Sequence, residues 1–591
     1  MKTAFIFHTV KEADEAVARR LHEGCELLST NPCVDLHLKE RYGLECLCVS
    51  RFLSDAELAV QMGNAPAAVD RVLAALDERI SPLLNDRLAL KMRYFSPVYS
   101  YIGKHYLLGL AAFVAALRNA RAAKGLERIR VFNSRYQEFM DVPPDLPALI
   151  ERFIPGLACE AIALSEAGNV RSGRLDRFKR LLNKARNPGV WIARIKMIAR
   201  AFKTRSRARR PGAKTILLSE PLYFVAFLAD SLTDYNLILC DEEGYPPGDG
   251  RSPGPEPRLD RAALDAMPWG TAADPLEDFF LQAVRRDFSR KIAANIRPAL
   301  AVKKLHEKEP ISLAVWGNIG GFPKYLLFEF LRSAGVTIVG TQHGNSYVDQ
   351  RAAWAWSSDF DRCDHFISWG FTKEDLTRTY PGVAARFEIH PLGAVLPERS
   401  PSKKIPIDIV FPMTWSMTMF DGGPARIKPD TIDDRQLALL ERLNALTGLT
   451  VYVKPPPGMT VDSCVAFAVA HRLKHLHVVD NVPYQRFLDK YSPRLVVVDY
   501  PASPLYQSLA LDADILLMPD IINPYETQAL AELESRAYYC EDLAAASAVL
   551  DSFAAGKLPK RRGDDYYRHY IHKPDAREKT LRLIRSLADA A

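Results

Sequence analysis

A Gln-His-Gly triplet centred on His343 is the stretch of the sequence best suited to chemistry. It follows the apolar run Val336–Thr341, which predicts a buried strand. A second strand-like run, Ser312–Asn318, and a helical segment, Lys324–Ser333, precede it and complete a β-α-β unit. In such units, the loops after the carboxyl ends of the strands line the ligand crevice. An imidazole in that loop can take a proton from a hydroxyl group or hydrogen-bond a phosphate near neutral pH.

Other candidate residues for binding a donor also follow predicted strands. They lie around the histidine or in the last third of the chain and are Gln342, Gly344, Asn345, Thr414, Trp415, Lys454, Asp499, Ser503 and Gln507. The Lys454 ammonium can neutralise a phosphate, although a surface lysine would fit the pattern equally well. Thr414 can offer its hydroxyl and its backbone N–H to a phosphate. Ser503 precedes a helix predicted to begin near Leu505, where free N–H groups favour an anion.

Two acids in the first half of the chain are further candidates. Asp241 and Glu242 follow a predicted strand and can supply a carboxylate base or nucleophile, although a solvated turn is the simpler interpretation. His390, which precedes a proline, is interpreted as structural. The spacing of the histidines between 471 and 477 does not make a metal site, and no metal site is predicted.

The bulk composition indicates a soluble globular protein. The chain has 591 residues, 48% hydrophobic and 25% charged, so two or more domains are expected. Its nine cysteines are odd in number and scattered, which favours buried free thiols in a reducing compartment. The amino terminus lacks a signal-peptide pattern, and the apolar run Tyr106–Leu117 is too short to span a bilayer. We therefore expect a cytoplasmic protein.

A basic segment, residues 171–210, is more positive than the chain as a whole, which has a net charge of +7. It holds fifteen Lys and Arg residues against one acid, Asp176, with apolar residues such as Trp191 and Phe202 interleaved. A basic amphipathic helix of this kind can lie on the anionic inner leaflet of a membrane, at its periphery. A solvated helix face is an equally good interpretation. Nucleic acid is not an expected partner, because no nucleic-acid-binding motif accompanies the segment.

Strands alternate with helices along the chain, which predicts an α/β fold with two Rossmann-like doubly wound domains facing a cleft. A strand over Thr3–His8 is followed by a helix to about Leu28. The predicted limits are residues 1–400 for an amino-terminal, acceptor-side domain with helical and basic insertions, and 401–560 for a nucleotide-donor domain. Residues 561–591 are expected to form a helix that packs back on the first domain. Neither a dinucleotide-binding glycine fingerprint nor a P-loop motif occurs, which disfavours dinucleotide-dependent redox chemistry and P-loop ATP hydrolysis.

Several of these motifs, in this order, resemble two-domain (GT-B type) glycosyltransferases and glycerophosphotransferases of bacterial surface-polymer synthesis, including capsule Kdo transferases. The resemblance covers about residues 310–550. Its motifs here are Gln342-His343-Gly344 through Tyr347, Ser368-Trp369-Gly370, Leu392-Gly393, Phe411 to Thr414, Lys454 to Pro457, and Asp499 to Leu509. The chain departs from the pattern at Pro456, where the group has histidine, and at Gln507, where it has an acid.

The resemblance implies metal-independent transfer of a sugar from a nucleotide-activated donor, which can be CMP-linked, to a surface polysaccharide or a lipid-linked glycan. The donor is a substrate, and no cofactor is implied. His343 would be the catalytic base. The alternatives are transfer of glycerol or ribitol phosphate from a CDP-alcohol, and a non-catalytic scaffold of polysaccharide assembly whose donor site has degenerated.

Overall fold

The computed structural model describes residues 1–96, 98–133, 145–164, 210–219, 223–240, 259, 261–317, 322–342, 344, 347–350, 360, 363–380, 387–395, 404–414, 428–457, 465–520 and 524–591. Over these ranges the chain forms seventeen strands, arranged in three parallel sheets, and nineteen α-helices. The predicted fold class, α/β with doubly wound Rossmann-like sheets, is confirmed.

The first sheet lies within the first 162 residues and has the order β3-β2-β1-β4-β5. Its strands are β1 (Thr3–Phe7), β2 (Cys25–Ser29), β3 (Leu47–Cys48), β4 (Arg128–Phe132) and β5 (Ala158–Ile162). Its helices are α1 (Val10–Ala18), α2 (Pro32–Tyr42), α3 (Asp55–Leu88), α4 (Val98–Lys124) and α5 (Leu146–Phe153). α1 begins with a capping box, in which Thr9 and Glu12 each bond the other's backbone N–H. The predicted helix to Leu28 is therefore too long, because it includes β2.

Helix α4 contains the apolar run Tyr106–Leu117. By length and composition it is the one helix of the described ranges that could cross a bilayer, so the run is not too short once its flanks are included. However, 88% of its most apolar window is buried, and it packs against α3. We interpret α4 as a core helix.

The second sheet has the order β11-β10-β9-β8-β6-β7. Its strands are β6 (Thr215–Ser219), β7 (Asn236–Cys240), β8 (Ile311–Trp316), β9 (Thr337–Thr341), β10 (His365–Ser368) and β11 (Glu388–Pro391). Its helices are α6 (Tyr223–Ser231), α7 (Arg261–Asp265), α8 (Pro275–Asn295), α9 (Arg297–Lys308), α10 (Phe322–Ser333) and α11 (Lys373–Thr379). Counted from its own first strand, the order is 2-1-3-4-5-6, an extended flavodoxin-like arrangement.

The third sheet has the order β14-β13-β12-β15-β16-β17, which is 3-2-1-4-5-6 in its own numbering, the Rossmann arrangement. Its strands are β12 (Ile405–Pro412), β13 (Val451–Lys454), β14 (Leu476–Val478), β15 (Tyr491–Val498), β16 (Asp514–Leu517) and β17 (Tyr538–Tyr539). Its helices are α12 (Pro429–Asn444), α13 (Val465–Ala470), α14 (Tyr484–Lys490), α15 (Ser503–Leu509), α16 (Thr527–Glu534) and α17 (Leu543–Ala554).

The carboxyl-terminal segment returns to the second sheet. It forms α18 (Asp565–Tyr570) and α19 (Ala576–Ala590). Ile584 and Ala588 of α19 are fully buried in one core with Ile216 and Leu313 of the second sheet. Residues 1–400, taken from the sequence as one domain, thus contain two separate sheets, of which the second also receives the end of the chain.

The first sheet and its helices contact the third sheet through helix α12. The Ser50 hydroxyl donates to the buried carboxylate of Asp430, and Arg51 pairs with Asp434 at 3.0 Å. The latter pair is exposed and therefore contributes little free energy. These contacts lie beside α12, whereas the polar residues of interest follow the carboxyl ends of strands in the second and third sheets.

Candidate functional site

The loop after β9 is held in place by the side chain of Gln342. Its Oε1 accepts a hydrogen bond from the backbone N–H of Trp369 at 2.7 Å, and its Nε2 donates to the carbonyl of Gly344 at 2.8 Å. Its backbone N–H donates to the carbonyl of Ile367 at 2.9 Å. Gln342 therefore fixes the Gln-His-Gly loop against the end of β10. Both ends of the Gln342 side-chain amide are thus already hydrogen-bonded within the protein. The predicted contact of Gln342 with a donor would have to be made in addition to these bonds.

Tyr347 anchors the other side of this loop. Its side chain is buried, and its ring stacks on Phe371 with centroids 6.0 Å apart and lies edge-on to Phe360 at 5.7 Å. Gln342 and Tyr347 thus bracket residues 343–346. His343 and Asn345 themselves lie outside the described residues. Gly344 has open space around it: a methyl group there would meet no described atom within 4 Å.

A buried polar centre occupies the point where the strand order of the third sheet reverses, between β12 and β15. Asp499 follows β15, and its carboxylate accepts from the backbone N–H of Thr414 at 3.2 Å and from Gln436 at 2.5 Å. Burial raises the pKa of Asp499 to about 6, and these hydrogen bonds limit the rise. The Thr414 N–H donates to Asp499 in this structure, so a phosphate would have to displace that hydrogen bond, and the contact of the N–H with a phosphate stays a prediction. The Thr414 hydroxyl remains a candidate.

Arg435 of α12 packs against the same polar centre. Its guanidinium donates to the carbonyl of Asp499 at 3.0 Å and to that of Pro519 at 2.6 Å. Burial lowers the pKa of Arg435, opposed by the charges of Asp499 and Asp520. Arg435 was not identified from the sequence, because a single arginine on a helix carries no pattern. It holds together the segments that follow β15 and β16.

Lys454 ends β13, next to β12, and is not the surface lysine considered above. Its side chain is almost fully buried, and its Nζ donates to the carbonyl of Pro455. No carboxylate of the described residues forms an ion pair with it. Burial lowers the pKa of Lys454 to about 8, partly offset by attraction to Asp480. Among the described residues this buried ammonium has no ion-pair partner, and its place at the carboxyl edge of a Rossmann sheet suits it to receive an anion.

Helix α15 begins at Ser503, two residues earlier than predicted. Ser503 is exposed at the first helical position, and Gln507 is half-buried on the following turn. The side chain of Tyr506 points into the protein, where its hydroxyl donates to Asp349 at 2.5 Å. Because the helix has only seven residues, the anion site predicted at its amino terminus finds little support in the geometry.

Asp349 joins the second and third sheets. Its buried carboxylate accepts from the hydroxyls of Tyr506 and Tyr566, the latter at 2.7 Å, and its carbonyl accepts from the N–H of Glu526 at 2.8 Å. The neighbouring Gln350 forms an antiparallel bridge with Tyr525. Burial raises the pKa of Asp349, opposed by the two tyrosine hydrogen bonds. Asp349 lies two residues after Tyr347, so the segment that follows the Gln-His-Gly motif contacts the third sheet.

The glycines of the Trp-Gly and Leu-Gly motifs, Gly370 and Gly393, pack against the carboxyl-terminal segment. A Cβ at Gly370 would lie 1.9 Å from the carbonyl oxygen of His569, and one at Gly393 would lie 2.8 Å from the backbone nitrogen of Lys573. Gly393 also has a φ of 97°, which favours glycine. The Trp-Gly and Leu-Gly motifs therefore allow close backbone packing, rather than approach to a ligand at these two positions.

His569 ties this segment to both sheets. Its Nε2 lies 3.2 Å from Asp375 on α11, and its Nδ1 lies 3.0 Å from Glu532 on α16. Arg378 also pairs with Asp375, at 2.6 Å. The hydrogen bond to Asp375 raises the pKa of His569, with Glu532 adding to the rise and burial opposing it. The imidazolium is thus a bridge between three helices.

This bridge predicts a pH dependence of stability. Because the pKa of His569 is raised on folding, its stabilising contribution is complete below the usual value of 6.5 and is lost as the pH rises through the raised folded value. We expect the free energy of unfolding to fall less steeply above pH 6.5 in His569→Gln than in the wild type. Urea unfolding across pH 6–9 measures this. The exposed His475→Gln is the control, and equal slopes for wild type and His569→Gln would contradict the bridge.

The structure brings some of the predicted residues together and leaves others apart. Thr414 contacts Asp499, and the backbone of Lys454 accepts from Met413 beside them at 3.1 Å. Gln342 contacts none of these, and the two sheets meet instead through Asp349, which no sequence pattern indicated. Asp241, Glu242 and Trp415 lie outside the described residues, as does the basic segment 171–210 except Arg210.

No protein-family model and no curated protein matches the sequence. Among solved structures, a glycosyltransferase from Rickettsia africae is 9% identical, with 64% of this chain and 100% of that chain covered and a TM-score of 0.35. The UDP-GlcNAc 2-epimerase from Neisseria meningitidis bound to UDP-GlcNAc is 7% identical, covering 63% and 100%, with a TM-score of 0.38. TarM is 15% identical, covering 50% and 58%, with a TM-score of 0.33. Similarities this low carry no conclusion about the reaction.

Proposed function

We propose that the chain is a GT-B-like glycosyltransferase. It transfers a sugar from a nucleotide-activated donor to a surface polysaccharide or lipid-linked glycan. In this reaction an acceptor oxygen bonds to the anomeric carbon, the bond from that carbon to the nucleotide phosphate breaks, and the phosphate leaves with the electron pair. His343 takes the acceptor proton, and Lys454 stabilises the negative charge on the leaving phosphate.

The observation that carries the proposal is the environment of Lys454. A buried ammonium costs free energy unless an anion compensates it, and its nearest hydrogen-bond acceptor is a neutral carbonyl. It stands at the carboxyl edge of a sheet in Rossmann order, one strand from the reversal point at Thr414 and Asp499. Nucleotides bind to such sheets at this edge. Phosphate is the anion that a nucleotide donor would bring.

A nucleotide panel tests the proposal. We expect CMP, CDP, UDP or GDP at millimolar concentration to raise the melting temperature of the purified full chain, with one base clearly preferred. The preferred nucleotide then identifies the sugar donors to assay for turnover. Preference for a cytidine nucleotide, with turnover of a CDP-alcohol but of no nucleotide sugar, would instead support polyol-phosphate transfer. Stabilisation by none of the four would favour the non-catalytic scaffold.

Two accompanying proposals are tested separately. Transfer is expected to need no metal ion, so turnover should survive treatment with EDTA. The protein is proposed to be cytoplasmic and to lie at the inner membrane surface through residues 171–210, which carry fifteen basic residues. Flotation with vesicles containing anionic lipid, with and without this segment, measures the second point.

A further inference from the structure

Two histidines and a glutamate converge on the outer edge of the second sheet. His365 begins β10, and Glu388 and His390 lie on the edge strand β11. In the parallel register His365 pairs with Glu388, and His390 lies two residues further on, so all three side chains share one face. The His365 Nδ1 is 3.2 Å from the His390 Nε2 and 3.4 Å from a carboxylate oxygen of Glu388, which is 3.8 Å from the His390 Nε2.

Two of these separations, 3.2 and 3.4 Å, are close to those between ligand atoms in one coordination shell, and the third, 3.8 Å, is slightly longer. Zn²⁺ binds imidazole nitrogen and carboxylate oxygen at about 2.0–2.2 Å, which places neighbouring ligand atoms of a tetrahedron roughly 3.3–3.5 Å apart. The three potential ligand atoms lie within 4.8 Å of one another. A hydrogen bond between the two imidazoles would account for one of the distances. It would not account for the Glu388 carboxylate, which lies within 4 Å of both of these nitrogen atoms.

We propose that His365, Glu388 and His390 form a binding site for Zn²⁺ or a similar divalent first-row transition metal. Two imidazoles favour such ions over Mg²⁺ and Ca²⁺, which prefer all-oxygen ligands. The histidine side chains are 17% and 21% exposed and Glu388 is 72% exposed, so an ion can enter from solvent and keep a water as its fourth ligand.

The site is separate from the proposed transfer site. His365 begins β10 and His390 pairs with Ile367, one residue before the last residue of that strand, so the ion would lie roughly 3–10 Å along the strand from the carboxyl edge. The strand β9, which leads to the Gln-His-Gly loop, lies on the far side of β10. β11 is an edge strand of four residues, held on one side only. It leads into Gly393, where the carboxyl-terminal segment packs. A metal bound by residues of both β10 and β11 would therefore stabilise the attachment of this edge strand. It would not be required for transfer.

Calorimetric titration of the tag-free, chelator-treated full chain with ZnCl₂ tests the proposal. We expect one Zn²⁺ per chain at this site, a rise in melting temperature on binding, and weaker binding of Mg²⁺. Glu388→Gln is expected to lower the Zn²⁺ affinity at least about 10-fold, and the double variant His365→Gln, His390→Gln is expected to abolish binding at this site. Exposed His475→Gln is the matched control and should bind as the wild type does.

Two outcomes would overturn the site. The first is no Zn²⁺ binding by the wild type. The second is the same affinity and stoichiometry in Glu388→Gln and in the double variant as in the wild type, which would move binding elsewhere in the chain. Because Glu388 is exposed, its replacement by glutamine should leave the fold intact, and matching urea-unfolding curves without metal verify this. Turnover of a donor is a different readout, so failure here leaves the proposed function untouched.

Discussion

Lys454→Met is expected to make the protein more stable and less able to bind nucleotides. Folding lowers the pKa of Lys454 to about 8, so the unfolded chain binds that proton more tightly, and the buried charge lowers stability at neutral pH. Methionine keeps most of the apolar volume but loses the hydrogen bond to Pro455. We expect a net gain on the order of 1–2 kcal/mol in the free energy of unfolding at pH 7. Loss of the charged contact to phosphate should weaken nucleotide binding about 10- to 100-fold.

Two measurements separate these effects. Urea unfolding gives the stability, and the melting-temperature shift with the preferred nucleotide gives the binding. Lys474→Met, an exposed lysine near the same sheet, is the control and should change neither. In the wild type and in Lys474→Met, but not in Lys454→Met, stability should also rise between about pH 8 and pH 10.5, as the buried Lys454 ammonium loses its proton. An unchanged nucleotide shift in Lys454→Met would remove this residue from the donor site.

Asp349→Ala is expected to loosen the junction between the second and third sheets. The substitution leaves the hydroxyls of Tyr506 and Tyr566 buried without their shared acceptor. Such a loss typically costs about 2–4 kcal/mol. Asp349→Asn keeps one acceptor oxygen and should cost less. Urea unfolding measures the change, and faster proteolysis of the native protein near this junction would accompany it.

A second set of variants separates the cost of the lost tyrosine hydrogen bonds from the other effects of removing the Asp349 carboxylate. In the Asp349→Ala background, changing Tyr506 and Tyr566 to phenylalanine removes the two hydroxyls that have lost their shared acceptor and should restore part of the lost stability. Tyr538→Phe is the control, since that buried hydroxyl has no hydrogen bond among the described residues. If Asp349→Ala stayed within about 0.5 kcal/mol of the wild type, the junction would not depend on this cluster.

Strand positions in the second and third sheets could be predicted closely from sequence. The runs Ser312–Asn318 and Val336–Thr341 lie within two residues of β8 and β9, because parallel strands buried on both faces are continuously apolar. β2 was missed because Cys25–Ser29 is short and begins with a partly exposed Cys-Glu pair after a helix rich in alanine. The separate first sheet could not be foreseen either, because pairing between strands 100 residues apart leaves no local pattern.

The sequence indicated where some candidate residues lie, and their roles stay predictions. Thr414 and Asp499 both follow predicted strands, and they are in contact because carboxyl ends of parallel strands share an edge. The pairing of a particular N–H with a particular carboxylate depends on atomic packing. The hydrogen bond from the Thr414 N–H to Asp499 could therefore not be predicted from the sequence. The burial of Lys454 was also hidden, because a strand-end lysine has the same sequence context whether its side chain is covered or exposed.

The return of the carboxyl-terminal helix to the second sheet has a consequence for biosynthesis. The core around Ile216 and Leu313 stays open until Ile584 and Ala588 have left the ribosome. About 200 residues separate β11 from the end of that helix, which corresponds to roughly 10–40 s of translation at 5–20 residues per second. The nascent chain must therefore expose the apolar face of a nearly finished sheet during that interval. Chaperone demand should be concentrated there, and a chain truncated before Ile584 would lack both residues with which this helix closes the core.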